Sequence, residues 1–463
     1  MVSIDGAMVN IALPPIKTEL LFSDVSLVWV LNAYLLTFSG FVLLSGRLAD
    51  LFGHRRLFLL GIALFTAASA ACGLASTRAL LVGARAIQGL GAAIVASVSL
   101  SLTVGLFTEP PERSKAMGIY SFVSLFAGAF GFSLGGTLTS ALGWRWIFLI
   151  NLPLGAAIYA FCRVLLPEQR VRAPAGQLDI AGAITITGSS VLTVYAIVNV
   201  NDAGWNCLQT IVLLAGSLAL LLVFHEIETR VAIPLVPLGL FRRRNLLVGS
   251  IISMLWAFTV GGWTLIAVLY LQVVLKCSPE QVGFAFLPSN LSAAAISLGC
   301  SAKLVARFGI KRTLFIGLLI TAGALALLAR APVRGSVAID VLPAMFLDGV
   351  GSGLALSPIL LAATSGTSPA ESGLVSGIVS TAGLIASTLG VAILVATASA
   401  YSRSLVAEGM NLPAALDNGY HLAFWIGATL LLVAALATSL LRIEQRDAIP
   451  TTDLAAHDSS ASV

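Results

Sequence analysis

The sequence predicts an all-α integral membrane protein with fourteen transmembrane helices. Composition comes first. Apolar residues make up 58% of the 463 residues and charged residues 10%, with a mean hydropathy of +0.98. No soluble chain of this length needs so much apolar surface. Patterning comes second. One membrane-crossing helix takes about 20 apolar residues, and such runs lie near 2–16, 27–46, 57–75, 79–103, 115–140, 144–166, 178–198, 208–226, 245–271, 282–302, 313–330, 338–362, 375–398 and 421–442. Barrel strands would alternate over about 10 residues, and these runs do not.

Taken in order, the first run is short: four residues precede Asp5 and Lys17 closes it. Either this helix begins at the membrane surface or a stretch upstream is missing, and the second is the expectation. It is not a cleavable signal peptide, since a basic leader segment is missing. The runs 27–46 and 57–75 are joined by the basic turn Gly46-Arg47-Leu48-Ala49-Asp50-Leu51-Phe52-Gly53-His54-Arg55-Arg56. Gly46 and Gly53 are expected to permit a tight turn there. The runs 178–198 and 208–226 lie between two polar stretches, about 163–178 and 226–245, the second ending in Arg242, Arg243 and Arg244. After the last run, the tail to Val463 is rich in Asp, Ser, Thr and Ala and reads as disordered.

The net charge of +5 does not mark a nucleic-acid binder, because its placement is that of a membrane topology. With the 46–56 turn on the cytoplasmic side, about 18 Lys/Arg fall inside and about 7 outside, which places both termini in the cytoplasm. Five cysteines without a C-x-x-C and four histidines without ligand spacing argue against a disulfide scaffold and a metal site. Arg outnumbers Lys and Ala and Gly are abundant, which suggests a GC-rich bacterial genome. No soluble segment is large enough for chemistry, so a membrane enzyme or sensor is the remote reading.

Asp5 and Arg85 are ionisable residues inside apolar runs. A charge at mid-bilayer costs roughly 2.5–3.5 kcal/mol on insertion scales and marks function. Arg85, Gln88, Gly89, Ala92 and Ala96 share one helical face, whose small residues admit a neighbouring helix. Ala127, Gly131 and Gly135 form a similar ridge, with Gly118 and Gly136 nearby. In the run 375–398, Ser376, Ser380, Gly383, Ser387 and Gly390 mark one face, read as a helix interface, with cavity lining as the alternative. Asp348 lies in Asp348-Gly349-Val350-Gly351-Ser352-Gly353. It either meets headgroup water near a helix end or lines the cavity as a cation or proton site. The G-x-G-x-G around it has no preceding strand and is better explained by close packing than by nucleotide binding. Finally, Ala302-Lys303-Leu304-Val305-Ala306-Arg307-Phe308-Gly309-Ile310-Lys311-Arg312 echoes the 46–56 turn, a sign of internal repetition of the kind seen in transporters.

Several of these motifs together resemble one family. The 46–56 turn resembles the G-x-L-A-D-x-x-G-x-R-R signature loop of the major facilitator superfamily, and Arg85 to Ala93 resembles its R-x-x-Q-G-x-G-A-A motif. The 118–136 glycines resemble its antiporter motif, with Ala127 for a Gly and Phe132 for the Pro. Asp5 to Pro14, with Ala7 for a Thr, Trp144 to Gly155, and Tyr270-Leu271-Gln272 through Pro288 resemble the fourteen-helix drug–proton antiporters (EmrB/QacA type). The resemblance implies the major facilitator fold, two six-helix bundles plus two extra helices. The expected division is 1–166 for the first bundle, 167–244 for the extra helices with their linkers, 245–442 for the second bundle and 443–463 for a disordered cytoplasmic tail.

It further implies a proton-coupled efflux transporter of the bacterial inner membrane, acting as a monomer on lipophilic or cationic small molecules. The proton gradient is the energy source, with no cofactor and no nucleic acid. Proton coupling falls to Asp5 and Arg85. The conformational latch falls to Gly46, Asp50, Gly53, Arg55 and Arg56. Asn10, Gln88, Gln272 and Asp348 are candidates for the substrate cavity, and Gly118, Gly131, Gly135 and Gly136 for the packing of the fifth helix. An exporter of one endogenous metabolite, such as an antibiotic or siderophore, is the competing reading. The Pro of the motif kinks or breaks the helix, and Phe132 in its place departs from the pattern that implies the direction of export.

Overall fold

A computed structural model of the chain describes residues 1–106, 110–166, 180–203, 207–231, 243–365 and 369–442. Every apolar run expected from the sequence lies in helix. The reason is the solvent: backbone N–H and C=O groups in hydrocarbon must pair within their own segment. The helices are α1 (Val2–Leu20), α2 (Asp24–Phe52), α3 (His54–Gly73), α4 (Arg78–Leu106), α5 (Pro110–Leu142), α6 (Trp146–Leu149), α7 (Asn151–Leu165), α8 (Ile180–Ala203) and α9 (Leu208–Arg230). They continue as α10 (Arg244–Leu269), α11 (Pro279–Ala285), α12 (Leu287–Gly299), α13 (Ser301–Leu328), α14 (Leu342–Thr364), α15 (Pro369–Ala407) and α16 (Leu412–Ala437). Nine helices among the described residues are long and apolar enough to cross a membrane. Exposed Phe161, Val164, Leu218 and Leu222 give the outer surface an apolar character that water would not tolerate and lipid does. The chain is thus a multi-pass membrane protein. The polar stretches at 167–179 and 232–242 and the tail after residue 442 lie outside the described residues.

Breaks in the helices follow from particular residues. Ser23 and Ser278 each cap a helix start reciprocally with the residue three positions on, Ser26 and Gln281. The run 144–166 is divided between α6 and α7. A π-turn, Tyr270–Val274, follows α10, and another, Val337–Val341, precedes α14. α1 to α7 pack mainly among themselves, as do α10 to α16, while α8 pairs with α9 and lies against α2 and α15.

The repeated turns share a backbone geometry. Gly53 has φ 92° and ψ 130°, and Gly309 has φ 81° and ψ 161°, a region that is essentially glycine-only. Gly46 does not take part in the turn as expected. It lies inside α2, where a Cβ would come within 3.0 Å of Ser97 Oγ on α4, so it serves packing. A Cβ at Gly309 would meet nothing within 4 Å among the described residues, so the cost of substitution there is argued from backbone strain. Gly309→Ala is expected to destabilise the protein by about 1–3 kcal/mol, read as a lowered melting temperature in detergent. An unchanged melting temperature would remove the argument for a shared turn geometry.

Candidate functional site: a buried polar junction

The junction forms where α1, α4 and the start of α7 meet. Asp5 is fully buried, with Arg85 and Gln88 at 1% and 0% exposure. Arg85 Nη1 donates to Asp5 Oδ2 at 2.9 Å, while Gln88 Nε2 at 3.0 Å and Asn151 Nδ2 at 2.8 Å donate to Oδ1. Arg85 also donates from Nε to the Val30 carbonyl at 2.9 Å and from Nη1 to Gln88 Oε1 at 2.6 Å. Its guanidinium stands 4.2 Å from the Tyr34 ring centre. Gln88 Nε2 reaches Ser69 Oγ at 2.8 Å, and Cys72 Sγ lies 3.8 Å from Gln88 Oε1. A charge pair in hydrocarbon survives only when it is paired and hydrogen-bonded in this way.

The local sequence explains the convergence. Arg85 and Gln88 are three residues apart on one face of α4. On the same helix Gly89 lies against α2, where a Cβ would meet the Tyr34 carbonyl oxygen at 2.3 Å, and Gly91 lies against Phe65 of α3. Asn151 is brought in by the break between α6 and α7. Chemically, the junction holds one carboxylate against one guanidinium.

A second group of contacts joins the two helix groups at the end of the bundle away from the 46–56 turn. Phe132 stacks on Phe286 at 4.5 Å and Phe286 on Trp263 at 6.0 Å. A Cβ at Gly136 would meet the Pro279 carbonyl at 2.5 Å, and one at Gly283 the Phe132 carbonyl at 2.6 Å. Glu280 N donates to Ser140 Oγ at 3.2 Å, and Gln272 Nε2 donates to the Ile11 carbonyl at 2.9 Å. Gly131 and Gly135 instead admit α1, at Ile4, Ala7 and Met8. Phe132, where the motif has a Pro, thus anchors an aromatic stack across the seam.

The remaining sequence candidates are placed as follows. Asn10 donates to its own helix at Gly6 O, 2.9 Å away, outside the junction. Asp348 is buried in α14; Oδ2 accepts from Ser289 Oγ at 2.7 Å and Oδ1 has no partner among the described residues. Gly349, Gly351 and Gly353 press α14 onto α12 and α13, so Asp348 is not at a solvated helix end. Gln272 belongs to the seam. Arg55 donates to the Arg163 carbonyl at the end of α7, and Arg56 is exposed. The side chain of Asp50 and the surroundings of Gly118 lie outside the described residues. Gly261 and Gly262 of α10 press on Ser387 and Gly390 of α15, a helix interface as expected. Asn151, Ser69 and Tyr34 were not among the sequence candidates. A lone Asn in the apolar run 144–166 was the available signal for Asn151; nothing local marked Ser69 or Tyr34.

A many-helix membrane protein with a buried charge junction between helices has the make-up of a transporter. A family model described as Major Facilitator Superfamily matches residues 1–391. The chain belongs to that superfamily. It is 38% identical over 450 residues to the puromycin resistance protein of Streptomyces alboniger, covering 95% of this chain and 89% of that one. It is 34% identical to the cephamycin export protein of Amycolatopsis lactamdurans, covering 97% and 92%. It is 32% identical to the tetracenomycin C resistance and export protein of Streptomyces glaucescens, covering 85% and 73%. In fold it is similar to a bacterial homolog of the human lysosomal transporter Spinster in an inward-facing, unoccupied conformation, with a TM-score of 0.69, 17% identity and coverage of 95% and 94%.

Proposed function

We propose that this chain is a proton-coupled exporter of small molecules in the bacterial inner membrane, working by alternating access. The buried Asp5–Arg85 junction is the observation that supports this reading most directly. Asp5 takes up the proton and Arg85 compensates the charge it leaves. Energy then comes from the proton gradient, with no cofactor. On this reading fourteen helices cross the membrane, as two six-helix bundles with α8 and α9 added, and both termini are cytoplasmic. The seam of Phe132, Gly136, Gly283 and Phe286 then closes the outer side. Asp50, with Arg55 and Arg56, serves the inner side as a latch. Substrate enters from the cytoplasm or the inner leaflet.

The test is flux in proteoliposomes. An imposed pH gradient is expected to drive uphill movement of a fluorescent lipophilic cation, and a protonophore to stop it. Flux that ignores collapse of the gradient would overturn proton coupling. Substrate and proton moving in the same direction would overturn export by antiport.

A second reading, a dedicated exporter of one endogenous metabolite, is favoured by the relatives, three of which carry the name of a single antibiotic. A growth-inhibition panel across lipophilic cations and antibiotics separates the two: protection against one compound supports the dedicated exporter.

Asp348 tests cation selectivity. A buried carboxylate interacts with a cationic substrate far more strongly than one in water. Asp348→Asn is expected to slow export of cationic compounds several-fold more than of neutral ones. Equal loss for both assigns Asp348 to folding or proton coupling.

A further inference from the structure

We propose that Gln272 is the donor that completes α1 at the carbonyl its own proline leaves open, and that this bond holds the far end of the transporter closed. In an α-helix the carbonyl of residue 11 would accept from the N–H of residue 15. Pro15 has no N–H, and it lies inside α1. The Ile11 carbonyl therefore has no donor at that position. Gln272, from the other helix group, puts Nε2 2.9 Å from it. A carbonyl oxygen only accepts, so the amide orientation is set by chemistry: the nitrogen faces Ile11. Ile11 is fully buried, which makes an open carbonyl there costly.

The placement of Gln272 is itself built. It sits in the middle of the π-turn Tyr270–Val274, where Leu275 N bonds back five residues to the Tyr270 carbonyl at 3.0 Å. A π-turn inside a helix shifts the faces of the residues it contains and is frequent at functional sites. The Tyr270 hydroxyl donates to the Pro332 carbonyl at 3.0 Å, which ties the turn to the segment after α13. The bond works alongside the seam at Phe132, Gly136, Gly283 and Phe286. It differs from those contacts in being directional and made to α1, the helix that also carries Asp5.

The assignment of a conformational role rests on the alternating-access reading above; the pairing of Gln272 with the proline-freed carbonyl does not. Opening the far end separates the two helix groups and breaks the bond, leaving the Ile11 carbonyl to water. Gln272 is thus a positioning residue for the closed state, and α1 carries the proton site and the bond on one helix.

The experiment reads closure directly. Ser140→Cys and Glu280→Cys are introduced together, because Glu280 N already reaches Ser140 Oγ across the seam at 3.2 Å. The ratio of disulfide to thiol at this pair, in a glutathione redox buffer and resolved by mass from the five native cysteines, measures closure. Gln272→Leu, and the same-sized Gln272→Glu as a check on folding, are expected to lower that ratio roughly fivefold. Pro15→Ala restores an intrahelical donor to Ile11, so it is expected to lower the ratio too. In the Pro15→Ala background Gln272→Leu is expected to add little. An unchanged ratio in both Gln272 variants, or multiplying effects of Pro15→Ala and Gln272→Leu, overturns the proposal. If the ratios behave as expected while transport is unaltered, the pairing stands and the alternating-access role fails.

Discussion

Asp5→Asn abolishes export driven by a pH gradient while leaving the protein inserted and able to exchange substrate. Asn keeps the size of Asp, and its one amide oxygen can still accept from Arg85, now 2.9 Å from Asp5, while its amino group is left facing the Gln88 and Asn151 amides. It cannot change its charge. A carrier whose two arrangements differ by one proton at Asp5 is then confined to the neutral form. Substrate counterflow without a gradient continues, because it needs no net proton movement. Uphill transport falls to background. The measurement is paired: gradient-driven uptake and counterflow in the same proteoliposomes. Uptake at the wild-type rate in the variant would remove Asp5 from the mechanism, and loss of both activities would assign the residue to folding.

Arg85→Ala is expected to have the largest effect on stability. Removing one partner of a buried pair leaves the other as an uncompensated charge and costs about 3–5 kcal/mol. Here the loss extends further, since Arg85 also bonds the Val30 carbonyl and Gln88 and lies over the Tyr34 ring. Arg85→Lys keeps the positive charge but not the planar fork, so it is expected to retain partial transport. The double variant Asp5→Asn with Arg85→Ala removes both charges. Its melting temperature is expected to lie above that of Arg85→Ala alone, a coupling of about 2 kcal/mol or more for groups in direct contact. Wild-type transport in Arg85→Ala would reduce Arg85 to a packing residue. Additive losses in the double variant would show that the pair is not coupled.

Much of the architecture was legible because the bilayer imposes it. Apolar runs about 20 residues long must be helical in hydrocarbon, and each of the runs lies in helix. The Phe-Gly glycines of the two repeated turns were legible as well, because their backbone region is closed to other residues; Gly53 and Gly309 both occupy it. Gly46 looked like a partner in that turn, but small residues serve turns and helix contacts alike, and spacing alone does not separate the two uses. The same ambiguity divides the α5 glycines. Gly131 and Gly135 face α1 while Gly136, one residue on, faces Pro279.

The charged centre was visible as two residues and not as a bond. Asp5 and Arg85 stand out because their cost in lipid demands a reason, and that reading needs only the residues and the solvent. Their pairing joins positions 80 apart in the chain, and Asn151 joins from 146 away. No local pattern contains such a contact; it depends on where the break between α6 and α7 places one side chain. The bond from Gln272 to Ile11 spans 261 positions and is of the same kind. Sequence by itself determined which groups cannot remain alone in the membrane, the charges of Asp5 and Arg85. Only the tertiary structure decided which partner each one has, because helix packing, not spacing along the chain, sets the distances over which hydrogen bonds form.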